Sequence, residues 1–198
     1  MRTSTIVRRD LILDAALSCF DELGYEATGV QEIRARSGAS IGSIYHHFAG
    51  KEQIAGELFV AGIASYQRAL TEVEPVDAQR WVRGLVRAQI RWCEREPRMA
   101  RFLAARTGLH GTAPVDAALQ ELNRDFFGHL RSTMEPWQAS GELMVLPLEI
   151  FAAVVTGPVL VFTRRWLAGE SKGSLREAER LLAASAWGAV RADPPGAP

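Results

Sequence analysis

Apolar residues recur at threes and fours along most of the chain, the period of helices that bury one face. In the first segment Ile12, Ala15, Ala16, Cys19, Phe20 and Leu23 share a stripe that Gly24 ends, which predicts an amphipathic helix of about four turns. Thr28-Gly-Val-Gln31 reads as a capping box, Thr28 accepting from the N3 amide while Gln31 reaches back, and it opens a short helix to about Ser37. Gly38-Ala39-Ser40 then supplies a tight turn, with Gly38 suited to a left-handed helix end and Ser40 to the cap of a second short helix running to Phe48. Lys51 opens a longer helix to about Leu70 that carries Ile54, Leu58, Ile63 and Tyr66. Further helices are expected over 77–95, 98–108, 114–135, 147–168 and 175–192, about nine in all, with glycine, proline or serine at the joints. Leu143–Val145 has strand-like residues but is too short to pair alone, so the fold class is all-α.

Two features refine that plan. Glu74-Pro75-Val76-Asp77 breaks the pattern and divides the helices, because proline restrains its predecessor and ends a helix. Leu143–Phe162 is apolar enough to be mistaken for a membrane span, yet it holds Pro147, Glu149 and Pro158 and runs into Arg164-Arg165. A helix buried in an interface is the better reading. The tail Asp193–Pro198 is expected to be disordered.

A hydrophobic content of 47% with 23% charged residues describes a folded globular protein and excludes disorder and collagen-like repeats. The net formal charge is zero, so any hold on nucleic acid must come from a local patch rather than from bulk polycation. Through Lys51 six basic residues meet six acids, but Arg2, Arg8 and Arg9 form an N-terminal arm while most of the acids lie on the first helix. Cys19 and Cys93 sit far apart inside helical patterns, as buried reduced thiols do. The polar N-terminus lacks a secretory signal, which makes the expected location cytoplasmic.

Ser37-Gly-Ala-Ser-Ile-Gly-Ser-Ile-Tyr-His-His-Phe48 is where chemistry concentrates. Ile41, Ile44 and Phe48 would face a core, which leaves short hydroxyls, a phenol, two imidazoles and free helix-terminal amides for phosphate oxygens and base edges. Gly42 would let a backbone approach a duplex. Adjacent residues on a helix point about 100° apart, so His46-His47 makes a poor metal pair, and no metal is expected. The pattern Ile12, Ala15-Ala16, Phe20, Gly24-Tyr25, Thr28, Val30, Ile33, Ser37-Gly38, Ser40, Gly42-Ser43-Ile44-Tyr45, His47-Phe48 and Lys51-Glu52 resembles the TetR family of regulators over the first quarter of the chain. The resemblance implies a helix-turn-helix DNA-binding domain over 1–52 and a ligand-binding and dimerisation domain over 53–192. It also implies that Thr28, Ser43, Tyr45, His47 and Lys51 contact phosphates and that Ser40, Ile41, Gly42 and His46 lie nearest the bases. Arg36, and Arg34 with it, is read as lying near the DNA backbone; Arg34 stands where the family usually has a small alanine, and its bulk is expected to press on the helix crossing unless its stem turns outward.

Beyond residue 75 no nucleophile elbow, phosphate loop or dinucleotide fingerprint occurs, so neither an enzyme nor an organic cofactor is expected. Tyr66, Trp92, Met99, Phe102, Phe126, Phe127, Phe151 and Val155 are the side chains an apolar effector pocket would use, with Arg101, Arg106 or His110 as a polar anchor, although aromatic stripes also build ordinary cores. Ser174-Leu-Arg-Glu177 is a capping box, and Leu175, Ala178, Leu182, Ser185 and Ala189 follow it in a stripe; with Leu148, Ala152, Val159 and Phe162 they are assigned to a dimer interface. Gly157-Pro158 should kink that preceding helix. The partners expected are double-stranded DNA with a palindromic operator, a second copy of the chain and a small effector, with no membrane. The rival reading is a helical carrier or interaction protein whose helix-turn-helix does not serve DNA.

Overall fold

The computed structural model describes residues 2–105 and 113–192; Arg106, Gly108, His110 and the tail 193–198 lie outside them. Among the described residues nine helices and no named strand occur: α1 Arg2–Leu23, α2 Val30–Ser37, α3 Ile41–His47, α4 Lys51–Thr71, α5 Ala78–Arg95, α6 Pro97–Ala105, α7 Ala113–Ala139, α8 Leu148–Leu167 and α9 Leu175–Val190. They form two compact units, one built from residues 1–63 and 98–119, the other from 64–97 and 120–198.

The first unit packs α1, α2 and α3 with the first half of α4 and with α6. Its core joins Ile12, Ala16 and Phe20 of α1 to Ile33, Ile44, Phe48, Ile54, Leu58 and Phe102. Phe20 and Phe102 stack with ring centroids 5.7 Å apart. Two arginines of α6 tie that helix to α1: Arg98 donates to Asp14 at 3.0 Å and to Ser18, and Arg101 forks onto both oxygens of Asp21 at 2.6 Å. Arg101, offered as a possible polar anchor, is thus engaged with a carboxylate of α1.

The second unit is built around Trp81, which is fully buried. Its indole stacks on Phe151 and tilts against Trp137, with centroids 5.9 and 5.4 Å away. Val82, Leu85, Val86 and Ile90 of α5 meet Val155 and Val159 of α8 and Ala183, Ala186 and Val190 of α9. The short alanines let α9 approach α5 closely. Asp77 caps α5 by accepting from the Arg80 amide at 2.6 Å. Leu143, read as too short to pair alone, forms an isolated antiparallel bridge with Arg191, and the Met144 amide donates to Val190 across it at 2.9 Å. The helices α7 and α8 run unbroken through Pro136 and Pro158.

Both thiols behave as expected from the sequence, free and buried at Cys19 and Cys93. Burial pushes each thiol above its ordinary value. It also pushes up the phenol of Tyr66.

Candidate nucleic-acid interface

The local chemistry of the helix-turn-helix follows from three caps. Gly38 ends α2 at φ +66°, where a side chain would strain the backbone, and its amide donates to the Arg34 carbonyl at 3.1 Å. Ser40 starts α3, its hydroxyl oxygen accepting from the Ser43 amide at 3.1 Å. Gln53 accepts from the Ala49 amide at 2.7 Å and so satisfies the entry to α4, a capping role not read from the sequence.

Helix α3 has only seven residues, too few to stand alone in water. It is held by Ile44 and Phe48, which are 0% and 1% exposed. Phe48 is also covered by the guanidinium of Arg9, 5.4 Å from the ring centroid, and Arg9 forms an ion pair with Glu57. Residues so distant in sequence carry no local signal of that contact. With the apolar side docked, Ser40, Gly42, Tyr45 and His46 face solvent, and Ile41, Ser43 and His47 are half-buried beside them. Tyr45 is 55% exposed, and no atom lies within 4 Å of where a Cβ on Gly42 would stand. The imidazoles of His46 and His47 meet edge to face with centroids 5.1 Å apart.

Two expectations need correction, on Thr28 and on Gln31, and Lys51 has a partner that the sequence did not announce. Thr28 is not a helix cap with a free hydroxyl: it is 1% exposed and donates to the Gly24 carbonyl at 2.8 Å, so it braces the α1–α2 turn instead of reaching a phosphate. The cap of α2 is Gly29, whose amide donates to Glu32 at 2.8 Å; Gln31 does not take that place. Lys51 is tethered, donating to the Tyr25 carbonyl at 3.0 Å with its ammonium 4.3 Å from the Tyr25 ring centroid. Arg36, exposed as expected, forks onto Glu22, which holds the Glu22 carboxyl below its ordinary value. Arg34 lies outward and exposed while Ala39 is buried in the core, so the crossing of α1 and α2 is not obstructed.

The expected effector lining does not converge. Phe102 belongs to the core of the first unit and Met99 packs on it, beside Gly62. Phe151 and Val155 are core residues of the second unit, because the α8 face that carries them is the one turned to α5. Tyr66 and Trp92 meet edge to face at 5.4 Å, with the indole N–H donating to Ser65, while Phe126 and Phe127 lie 5.3 Å apart against the same core. Of the described recesses, one of about 820 Å³ within the first unit opens between α1, α4 and α7, lined by Leu13, Gln53, Gly56, Val60 and Val115, and it includes none of the eight.

The dimer stripe divides in the same way. Val159 and Ala178 are 0% and 7% exposed inside the second unit, and Leu148, Leu175 and Leu182 pack on its core. These stripes are the sides that α8 and α9 turn inward. Ala152 and Phe162 are half-buried, whereas Ser185 and Ala189 are exposed. The outward apolar residues are instead Ile150, Leu160 and Val161 on α8 and Leu181 on α9. Helix α8 has 20 residues and a mean hydropathy of 1.4 in its most apolar window, and only 22% of that window is buried in the chain.

Residues 12–58 match the family model described as bacterial regulatory proteins, tetR family. The A-factor receptor protein of Streptomyces griseus is 50% identical over 44 residues, covering 22% of this chain and 16% of that protein. The HTH-type transcriptional repressor AcnR of Corynebacterium diphtheriae is 42% identical over 52 residues, 26% of this chain and 27% of the repressor. The chain thus spans about a quarter or less of the length of these curated relatives in the matched stretch. A crystal structure of a TetR family transcription regulator from Marinobacter aquaeolei VT8 is similar in fold, with a TM-score of 0.79 at 20% identity, over 98% of this chain and all of that one. Residues 12–58 thus carry the sequence pattern of the tetR family of bacterial regulatory proteins, and the chain as a whole has the fold of a solved regulator of that family.

Proposed function

We propose that this chain is a cytoplasmic transcriptional repressor that binds a near-palindromic operator as a homodimer and is released by a small effector. The observation that carries the reading is the division of α3: Ile44 and Phe48 are sealed in the core, and Ser40, Gly42, Tyr45 and His46 stand free on the opposite side. A recognition helix needs that division, with donors free to meet base edges and phosphates in a major groove. Ser43 and His47 are half-buried beside it, and Arg34 and Arg36 are exposed on the neighbouring α2. Lys51 and Thr28 act on this surface through the α1–α2 turn that they brace, as positioning residues.

The outward strip of Ile150, Leu160, Val161 and Leu181 supports self-association, since apolar surface of this kind is seldom left to water. Two copies of α8 and α9 about a two-fold axis would form a four-helix interface. An effector that favours an unsuitable spacing of the two α3 helices by about 1–3 kcal/mol would weaken operator binding by roughly 5–150-fold. Helices α4 and α7 each contribute residues to both compact units and are continuous routes for such a change.

The test is a fluorescence-anisotropy titration of the protein against DNA from upstream of its own gene at two salt concentrations. Affinity should fall steeply with salt and drop in His46→Ala; affinity that is flat in salt would instead support a groove that binds protein.

A further inference from the structure

We infer that the second unit carries an anion site between α5 and α9 that takes the phosphate group of a soluble phosphorylated small molecule. Along α5 the arginines at 80, 83, 87 and 91 are spaced by three and four, so they share the side opposite to Trp81 and Leu85. On α9, Arg176 and Arg180 are one turn apart. Where the two helices pack, Arg83, Arg87, Arg176 and Arg180 line one recess of about 280 Å³, left open because Ala183 and Ala184 are short.

Outward arginines ordinarily make a solvated face, and the balance of charge around the recess argues otherwise here. Glu179 is the one carboxylate lining the recess, and it is engaged by Arg87 at 3.3 Å. Four guanidiniums thus face one carboxylate, a surplus of three positive charges within a chain of zero net charge. Like charges gathered in this way repel unless an anion of more than one charge joins them, and planar guanidiniums match phosphate oxygens two at a time. The recess falls just below the roughly 300–1,000 Å³ of whole small-molecule sites, so it fits a charged headgroup with the remainder of the ligand outside.

The site does not rest on the DNA-binding reading, and its test contains no operator. The full chain is titrated calorimetrically with sodium pyrophosphate, inorganic phosphate and glycerol 3-phosphate, with sodium chloride at matched ionic strength as the reference. Saturable binding of pyrophosphate or glycerol 3-phosphate is expected. It should weaken at least about tenfold in Arg83→Gln and in Arg180→Gln, each of which removes a charged hydrogen bond, and should persist in Arg95→Gln, which lies outside the recess. Arg180 is exposed, so its variant should melt like the parent. Heat that only tracks ionic strength, or equal binding in all three variants, would overturn the proposal. So would binding of inorganic phosphate alone, and displacement of pyrophosphate by a duplex without an operator would reassign the recess to nucleic acid.

Discussion

Exchanging Tyr45 or Phe48 for alanine should separate contact with DNA from support of the helix that makes it. Tyr45 is 55% exposed, so Tyr45→Ala should change folding stability by no more than about 0.5 kcal/mol. Its phenol is free to donate to a phosphate, a charged acceptor worth about 1.5–3 kcal/mol, which corresponds to roughly 10–150-fold in affinity per protomer. A dimer loses twice that energy. Phe48 is 1% exposed, and its loss should cost about 3–5 kcal/mol of a total near 5–15 kcal/mol. At roughly 2–4 °C per kcal/mol for a chain of this size, that lowers the melting temperature by about 6–20 °C. Circular-dichroism melts and anisotropy titrations on the same preparations distinguish the two. The expected pattern is a parent-like melt with weak binding for Tyr45→Ala and an early melt for Phe48→Ala. An early melt of Tyr45→Ala, or its binding DNA as the parent does, would refute the division of α3 into a buried and a reading side.

Three further outcomes follow from the same packing. Gly38→Ala places a side chain at φ +66° and should lower stability by about 1–2 kcal/mol, read as a shifted urea midpoint with an unchanged slope. Burial raises Cys19 and Cys93 above their ordinary value of 9.0, so the native thiols should resist Ellman's reagent at pH 8 until the chain unfolds. Because the unfolded chain loses those protons first, the stability they lend is complete below pH 9 and declines above it, a slope that Cys93→Ala should reduce in urea melts at pH 8 and 10. Leu160→Glu, on an exposed position of α8, should leave the fold intact and shift the light-scattering mass from dimer towards monomer.

How much of this was legible beforehand depended on the range of the interaction. The order of the nine described helices, the Gly38 turn and the Ser40 cap are written in residues three or four apart; α1 is longer than its stripe indicated, and the expected end of the sixth helix lies outside the described residues. The exposed side of α3 was legible for the same reason, since a helix that buries Ile44 and Phe48 must present Tyr45 and His46. The partners of Thr28 and Lys51 were not legible, because each satisfies its polar group on a backbone carbonyl supplied by the α1–α2 turn, and only the folded turn brings that acceptor within reach.

The errors in the second unit have another source. A stripe such as Leu175, Ala178 and Leu182 states that a helix buries one side but not against what, and an interior and a dimer face ask for the same residues. The structure resolves the choice by using the smaller side chains, Ala178, Ala183 and Ala186, to seat α9 on α5. What is left outward on α8 is Leu160 and Val161, residues that periodicity alone had no reason to favour over Val159. An apolar side chain that remains exposed after the interior has been filled is therefore the sharper guide to a partner surface, and by that criterion the proposed self-association is to be sought at Leu160 and Val161 rather than at Val159.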